Sequence, residues 1–210
     1  MDKKLFFTLI ILLASLFLFY NPLFSNQPLG LDTLGHISKV SYLKLYPLAN
    51  WDMSWYSGTL FLKLYPPLFY YLTAIFPNTF FAVNFLSFMS IFLTSLGIYL
   101  LVIYKTKNEK IGLFSGISYL SVLSISYYWI STGNLPYFFA LWTIPFSLYL
   151  LEKSILEKDK KYLIFYSLVF AVGILTHVIV GFLIGALMIL RLLFEGVNIK
   201  NIKKIFIFGI

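Results

Sequence analysis

From Thr79 to Tyr104 the chain runs without one charged side chain. A helix needs roughly 20 apolar residues to cross a hydrocarbon layer about 30 Å thick. In lipid the backbone must satisfy its own hydrogen bonds, so such a run folds as a helix. The pattern recurs. Leu5 to Tyr20 or Phe24, Ile111 to Ile130 and Leu135 to Leu151 read as further spans. Pro136 falls in the first turn of the last span, and Pro145 is its expected kink. With 60% hydrophobic and only 11% charged residues, there is too little polar surface to cover a water-soluble core.

Tyr162 to Phe194 is apolar for 33 residues, about 50 Å as one helix and too long for one upright crossing. Lys158, Lys160 and Lys161 precede it; Arg191, Lys200, Lys203 and Lys204 close or follow it. Basic residues gather on the cytoplasmic side of membrane proteins. Two short spans with a turn near Thr176-His177 place both clusters on that side, and one crossing would separate them. The fold class expected is therefore all-α: a polytopic membrane helix bundle of about six spans, with Ile205 to Ile210 starting a seventh. The chain reads as a single integral-membrane domain over 1–210, the N-terminal part of a larger protein.

This arrangement sends twelve of the fifteen lysines inward and leaves only Lys39, Lys44 and Lys63 outside. The N-terminus is then cytoplasmic, and the expected location is the plasma membrane, multi-pass. Met1-Asp2-Lys3-Lys4 and the run after it resemble the front of a signal peptide. Asn21-Pro22-Leu23-Phe24 offers no small-residue cleavage site, so the run reads as an uncleaved span. The net charge of +8 is accounted for by these loops and does not point to nucleic acid. There is no cysteine, which excludes disulfides and thiolate metal sites. The span centres lack charged residues, which argues against a transporter.

Chemistry must then come mainly from the outer loop, residues 21–78. Asp32 and His36 stand four residues apart, and with Lys39 they share one edge of a helix expected over Thr33 to Lys44. Leu34, Ile37, Ser41 and Leu45 fall opposite, as in a helix lying on a membrane surface with its polar edge up. A carboxylate there can act as general base or as a cation ligand. Asp32 can equally be the N-cap of that helix. Trp51, Trp55, Tyr56, Tyr65, Tyr70 and Tyr71 suit either an aromatic belt or stacking on a sugar. Asp52 is a second loop carboxylate. Pro66-Pro67 opens a short helix that Pro77 closes, too short to span. Asn134 and His177 fall at outward turns. An ionisable residue at membrane depth tends to have a partner, which marks His177.

Gly30-Leu31-Asp32 with His36, Trp51 with Trp55-Tyr56-Ser57-Gly58, and Tyr65-Pro66-Pro67-Leu68 together resemble a known pattern. The order is similar to that of the C-type (GT-C) membrane glycosyltransferases. It is closer to prokaryotic membrane proteins named as related to 6-pyruvoyl-tetrahydropterin synthase, which themselves look like C-type glycosyltransferases. The specific resemblance covers residues 30 to 71. It implies sugar transfer from a polyprenyl- or dolichyl-phosphate carrier to an acceptor on the outer face. Asp32 would be the general base, or would hold a divalent cation in the branch that uses one, with His36 holding it or sharing that cation. Lys39, Trp51, Asp52, Trp55, Tyr56, Lys63, Tyr65 and His177 are the expected substrate-binding residues. Many relatives carry an acidic residue where Thr33 stands, and one branch carries a phosphate-binding lysine where Tyr65 stands. The other expectation is a non-catalytic lipid-binding or assembly subunit with the same fold.

Overall fold

The computed structural model describes residues 3–24, 30–53, 58–62, 65–122 and 131–194. Its helices are α1 (Lys3–Phe24), α2 (Thr33–Leu45), α3 (Leu68–Ala74), α4 (Thr79–Thr106), α5 (Glu109–Ser121), α6 (Leu135–Ala140), α7 (Thr143–Glu157), α8 (Lys160–Thr176) and α9 (Val178–Phe194). A two-residue antiparallel ladder joins β1 (Trp51–Asp52) to β2 (Thr59–Leu60), an element the sequence did not announce. Among the described residues three helical stretches are long and apolar enough to cross a membrane: Lys3–Phe24, Thr79–Thr106 and Leu135–Glu157. Val178–Phe194 is a shorter apolar helix. The expected end of the third span, beyond Val122, and the seventh-span residues lie outside the described residues.

Three tight turns build the bundle. Lys107 and Lys158 each take a left-handed conformation, at φ 55° and 53°, and stop α4 and α7. The next residue caps the following helix: the Asn108 side chain accepts from the Lys110 and Ile111 amides, and Asp159 accepts from the Lys161 amide. A left-handed residue followed by an Asn or Asp cap reverses the chain within two residues. The third turn is a single residue, His177, in extended conformation between α8 and α9. The long apolar run is thus two helices, as the charge argument required.

Small residues set the close approaches, as expected where packing rather than water drives helix association. A Cβ on Gly112 would strike Ile103, and one on Gly116 would meet the Ser95 carbonyl. Gly97 lies under Pro145 and Phe146, and a Cβ on Gly181 would strike Ile174. The Ser90 hydroxyl donates to the Phe138 carbonyl at 2.6 Å, and Ser95 to the Gly116 carbonyl at 2.8 Å. Between α6 and α7 the expected kink falls at Leu141-Trp142, because Pro145 has no amide to offer the Leu141 carbonyl.

These contacts fix which helix ends lie together. Phe19 meets Phe88 while Ile11 meets Gly116, so α1 runs against α4. Lys105 of α4 and Arg191 of α9 both bind Glu152 of α7, so the C-terminal ends of these helices share one end of the bundle. Lys3, Lys4, Lys105, Lys107, Lys110, Lys153, Lys158, Lys160, Lys161 and Arg191 all belong to that end. Asp32, Tyr65, the Ser131–Leu135 turn and His177 belong to the other.

At that second end the chain joins itself by backbone. The Leu31 and Asp32 amides donate to the Ser131 and Thr132 carbonyls, each at 3.0 Å. Gly133 makes this approach possible. Its φ is +80°, and a Cβ there would lie 2.6 Å from both the Asp32 and Thr33 backbone nitrogens. Gly133→Ala combines a strained backbone with a backbone clash. It should cost about 1–3 kcal/mol, read as a lowered melting temperature in detergent. Unchanged melting would contradict the docking of these two segments.

Candidate functional site

Helix α2 carries the first candidates, and its orientation differs from the expected one. Its buried residues are Thr33, His36, Val40 and Leu43, whereas Leu34 and Leu45 are exposed. His36 therefore faces the protein rather than the aqueous side. The reason is a partner supplied by α3: His36 Nδ1 lies 2.8 Å from the Tyr70 hydroxyl. The Tyr65 and Phe69 rings close around the imidazole at 5.9 and 6.4 Å. Lys44, at the far end of α2, donates to the Phe76 and Pro77 carbonyls and to the Thr79 hydroxyl. That ammonium ties α2 to the junction of α3 and α4.

Asp32 occupies the N-cap position of α2, but its side chain makes no capping bond. It is exposed, and its backbone is held by Thr132. The capping explanation of Asp32 therefore fails, and the carboxylate is left to the surface. It lies close enough to act on Lys39 and Tyr65: it counters the depression of the Lys39 ammonium and helps push the Tyr65 phenol up.

Tyr65 is the hub of the cluster. Lys39 Nζ lies 5.1 Å over its ring, a cation–π distance. His177 meets it edge-on at 6.1 Å, and Tyr137 of α6 packs against the other side of His177 at 5.0 Å. Asp32, His36, Lys39, Tyr65 and His177 thus converge from α2, the Pro66-Pro67 approach and the α8–α9 turn. Tyr70, Phe69 and Tyr137 join them. Tyr70 stood among the aromatics suited to a belt or to sugar stacking, but nothing in the spacing foretold its bond to His36. Tyr137 carried no signal beyond its place at the start of the Leu135–Leu151 span.

Trp51 stands apart on the β ladder, 48% exposed, with Gly58 directly against its indole. Its carbonyl accepts from the Tyr42 hydroxyl at 2.8 Å. Asp52 beside it is buried and acts on Lys39. Trp55, Tyr56 and Lys63 lie outside the described residues. Among the described residues no three His, Asp or Glu side chains gather as ligands for a metal ion. Asp32 and His36 are two groups only, too few on their own to hold a resident divalent cation.

Burial governs the electrostatics. It lowers His36 from 6.5 to about 4, aided by the Lys39 ammonium and the His177 imidazole. Burial also lowers Lys39 and His177 and raises Tyr70, the last with help from Tyr65. His36 is accordingly neutral at physiological pH. Either Tyr70 donates to Nδ1 and leaves Nε2–H as a donor, or Nδ1–H donates to Tyr70.

The low value has a stability consequence. As pH falls below 6.5 the unfolded chain protonates His36, while the folded chain keeps it neutral down to about 4. The folded state then binds fewer protons, so stability is lost as pH falls through this window, by about 3 kcal/mol at its lower end. His36→Gln keeps a polar contact to Tyr70 without the titration. Between pH 7 and 4.5 the wild-type melting temperature should fall more than that of the variant. Parallel pH profiles would contradict the buried neutral imidazole.

Comparison with protein families matches residues 62–209 to the 6-pyruvoyl-tetrahydropterin synthase related domain, described as a membrane protein. The match runs from the end of the ladder through α9 and overlaps the motif-bearing stretch only from 62 to 71. Asp32, His36, Lys39, Trp51 and Asp52 precede it. Neither the comparison with curated proteins nor that with solved structures gave a match. Over most of its length, then, the chain belongs to the 6-pyruvoyl-tetrahydropterin synthase related family of membrane proteins.

Proposed function

We propose that the protein is a membrane glycosyltransferase that moves a sugar from a polyprenyl- or dolichyl-phosphate carrier to an acceptor on the outer face. The observation that carries this is the spare carboxylate of Asp32. It is exposed, makes no capping bond, and has its backbone pinned to a second segment. A general base must be ionised, reachable and held in place. Asp32 takes the proton of the acceptor hydroxyl. The hydroxyl oxygen bonds to the anomeric carbon as the carbon–oxygen bond to the carrier phosphate breaks, and the phosphate leaves on its lipid. Lys39 supplies positive charge beside this carboxylate, and Tyr65 and Trp51 offer ring faces to a sugar. His36 acts through Tyr70 as a positioning residue.

Six spans with a cytoplasmic N-terminus in the plasma membrane complete the proposal. The gathering of basic side chains at one end of the bundle supports this topology. With no native cysteine, single cysteines test it in whole cells. A cysteine replacing Ser41 on α2 should react with an impermeant thiol reagent outside, and one replacing Lys160 only after permeabilisation. The reverse pattern would invert the topology and remove the site from the outer face.

Asp32→Asn keeps the shape and removes the base. Turnover in isolated membranes, with a polyprenyl-phosphate sugar donor, should fall by about 100-fold or more. A folded variant with wild-type turnover would sink the mechanism. A wild-type protein without transfer activity that still binds the carrier would favour the non-catalytic lipid-binding or assembly subunit.

A further inference from the structure

The basic end of the bundle carries more than a rim of charge. Lys107 Nζ lies 4.3 Å over the Tyr104 ring, and Lys153 Nζ lies over the same ring at 5.8 Å. Lys153 is also 4.2 Å over the Tyr162 ring, which Lys161 shares at 4.8 Å. Tyr149 completes the floor: it meets Tyr104 edge-on at 5.9 Å and lies under Lys153 at 5.5 Å. Ammoniums from the end of α4, the last turns of α7 and the start of α8 thus converge on three rings. The preference of lysine for one side of a membrane explains why lysines stand at this end. It does not gather them on shared rings.

Two cations that share one ring lie within about 10 Å of each other, close enough to repel at 0.1 M salt. The carboxylates present do not absorb this excess. Glu152 is taken by Lys105 and Arg191. Glu157 stands 3.6 Å from Lys153 and Asp159 2.7 Å from Lys161, but each carboxylate is 40% exposed, where an ion pair contributes little. Among the described residues Lys107 has no carboxylate within ion-pair distance. The cluster lacks an anion, and its place in the fold decides which. Tyr104 and Tyr149 belong to helical stretches long and apolar enough to cross a membrane, near the ends where such rings meet lipid head groups. One turn inward from Tyr162, on the same face of α8, Phe165 is 52% exposed and offers an apolar wall below the cations. An acidic protein segment would meet the charge alone, whereas a lipid meets the charge and the wall together. Basic pockets between membrane helices take anionic head groups in this way.

We propose that Lys107, Lys153 and Lys161 hold the phosphodiester of one anionic phospholipid, with the three tyrosine rings beneath the head group and an acyl chain against Phe165. The site depends neither on sugar transfer nor on which side of the membrane the basic end faces. It stands if Asp32 proves to have no catalytic part.

The full chain in mild detergent is equilibrated with equal amounts of phosphatidylglycerol and phosphatidylcholine, and its bound lipid is read by native mass spectrometry. Phosphatidylglycerol should be retained over phosphatidylcholine by about tenfold or more. Lys107→Asn removes one cation and should lower that preference about fivefold. Asparagine suits the left-handed stop that Lys107 occupies, so the variant keeps the fold. Lys158→Asn is the matched control. It removes the same charge at the same end from a second left-handed position, where among the described residues no tyrosine ring lies under the ammonium. It should change the preference by less than about twofold. Equal retention of the two lipids would overturn the site. Equal losses for the two asparagine variants would reduce the cluster to net charge and overturn it as well. Displacement of the lipid by an equal amount of inorganic phosphate or polyglutamate would overturn the assignment to a lipid.

Discussion

Two backbone hydrogen bonds hold the candidate site to the bundle: those from the Leu31 and Asp32 amides to the Ser131 and Thr132 carbonyls. Besides them, α2 is held by its packing on α3 and α4, where Val40 and Leu43 join a buried cluster with Val83, Leu86, Leu135 and Phe139, and by the Lys44 ammonium. With them, the start of α2 is fixed beside the start of α6. The glycine at 133 is what lets two backbones approach so closely. Every later feature of the site inherits this placement. His36 can reach Tyr70, Lys39 can lie over Tyr65, and Tyr65 can meet His177 because α2 enters at a fixed height and angle.

The opposite end is organised by charge rather than by backbone. Glu152 is buried and receives Lys105 from α4 and Arg191 from α9. A buried carboxylate without partners would be costly, and with two cations it joins three helices at their C-terminal ends. The two ends therefore differ in kind. One is a basic rim with an internal ion-pair knot. The other is an aromatic and imidazole cluster in which burial keeps the histidines neutral.

Much of the scaffold was legible because it follows from strong, local rules. Apolar runs gave α1 and α4, and proline placement gave α3 and the break before α7. The distribution of Lys158, Lys160, Lys161 and Arg191 required the turn at His177. The facing of α2 was not legible. Asp32, His36 and Lys39 fall along one edge by spacing alone, and only the Tyr70 hydroxyl, 34 residues away from His36, shows that His36 points inward while Asp32 stays exposed. Asp32 does occupy the N-cap position, as local rules allow, but its side chain makes no capping bond. The β ladder at Trp51–Asp52 is too short to leave a periodic trace. Tyr137 joins the cluster through tertiary packing alone.

The central claim is that the first loop and the turn before α6 form one surface that presents Asp32. Disulfide trapping in the cysteine-free chain measures this directly, with Leu31→Cys combined with Thr132→Cys in native membranes. Mild oxidation should give a rapid intramolecular crosslink, absent when Leu31→Cys is combined with Ser154→Cys near the basic end. If the 31–132 pair stays reduced while the protein remains folded, the two segments do not meet and the site as described does not exist.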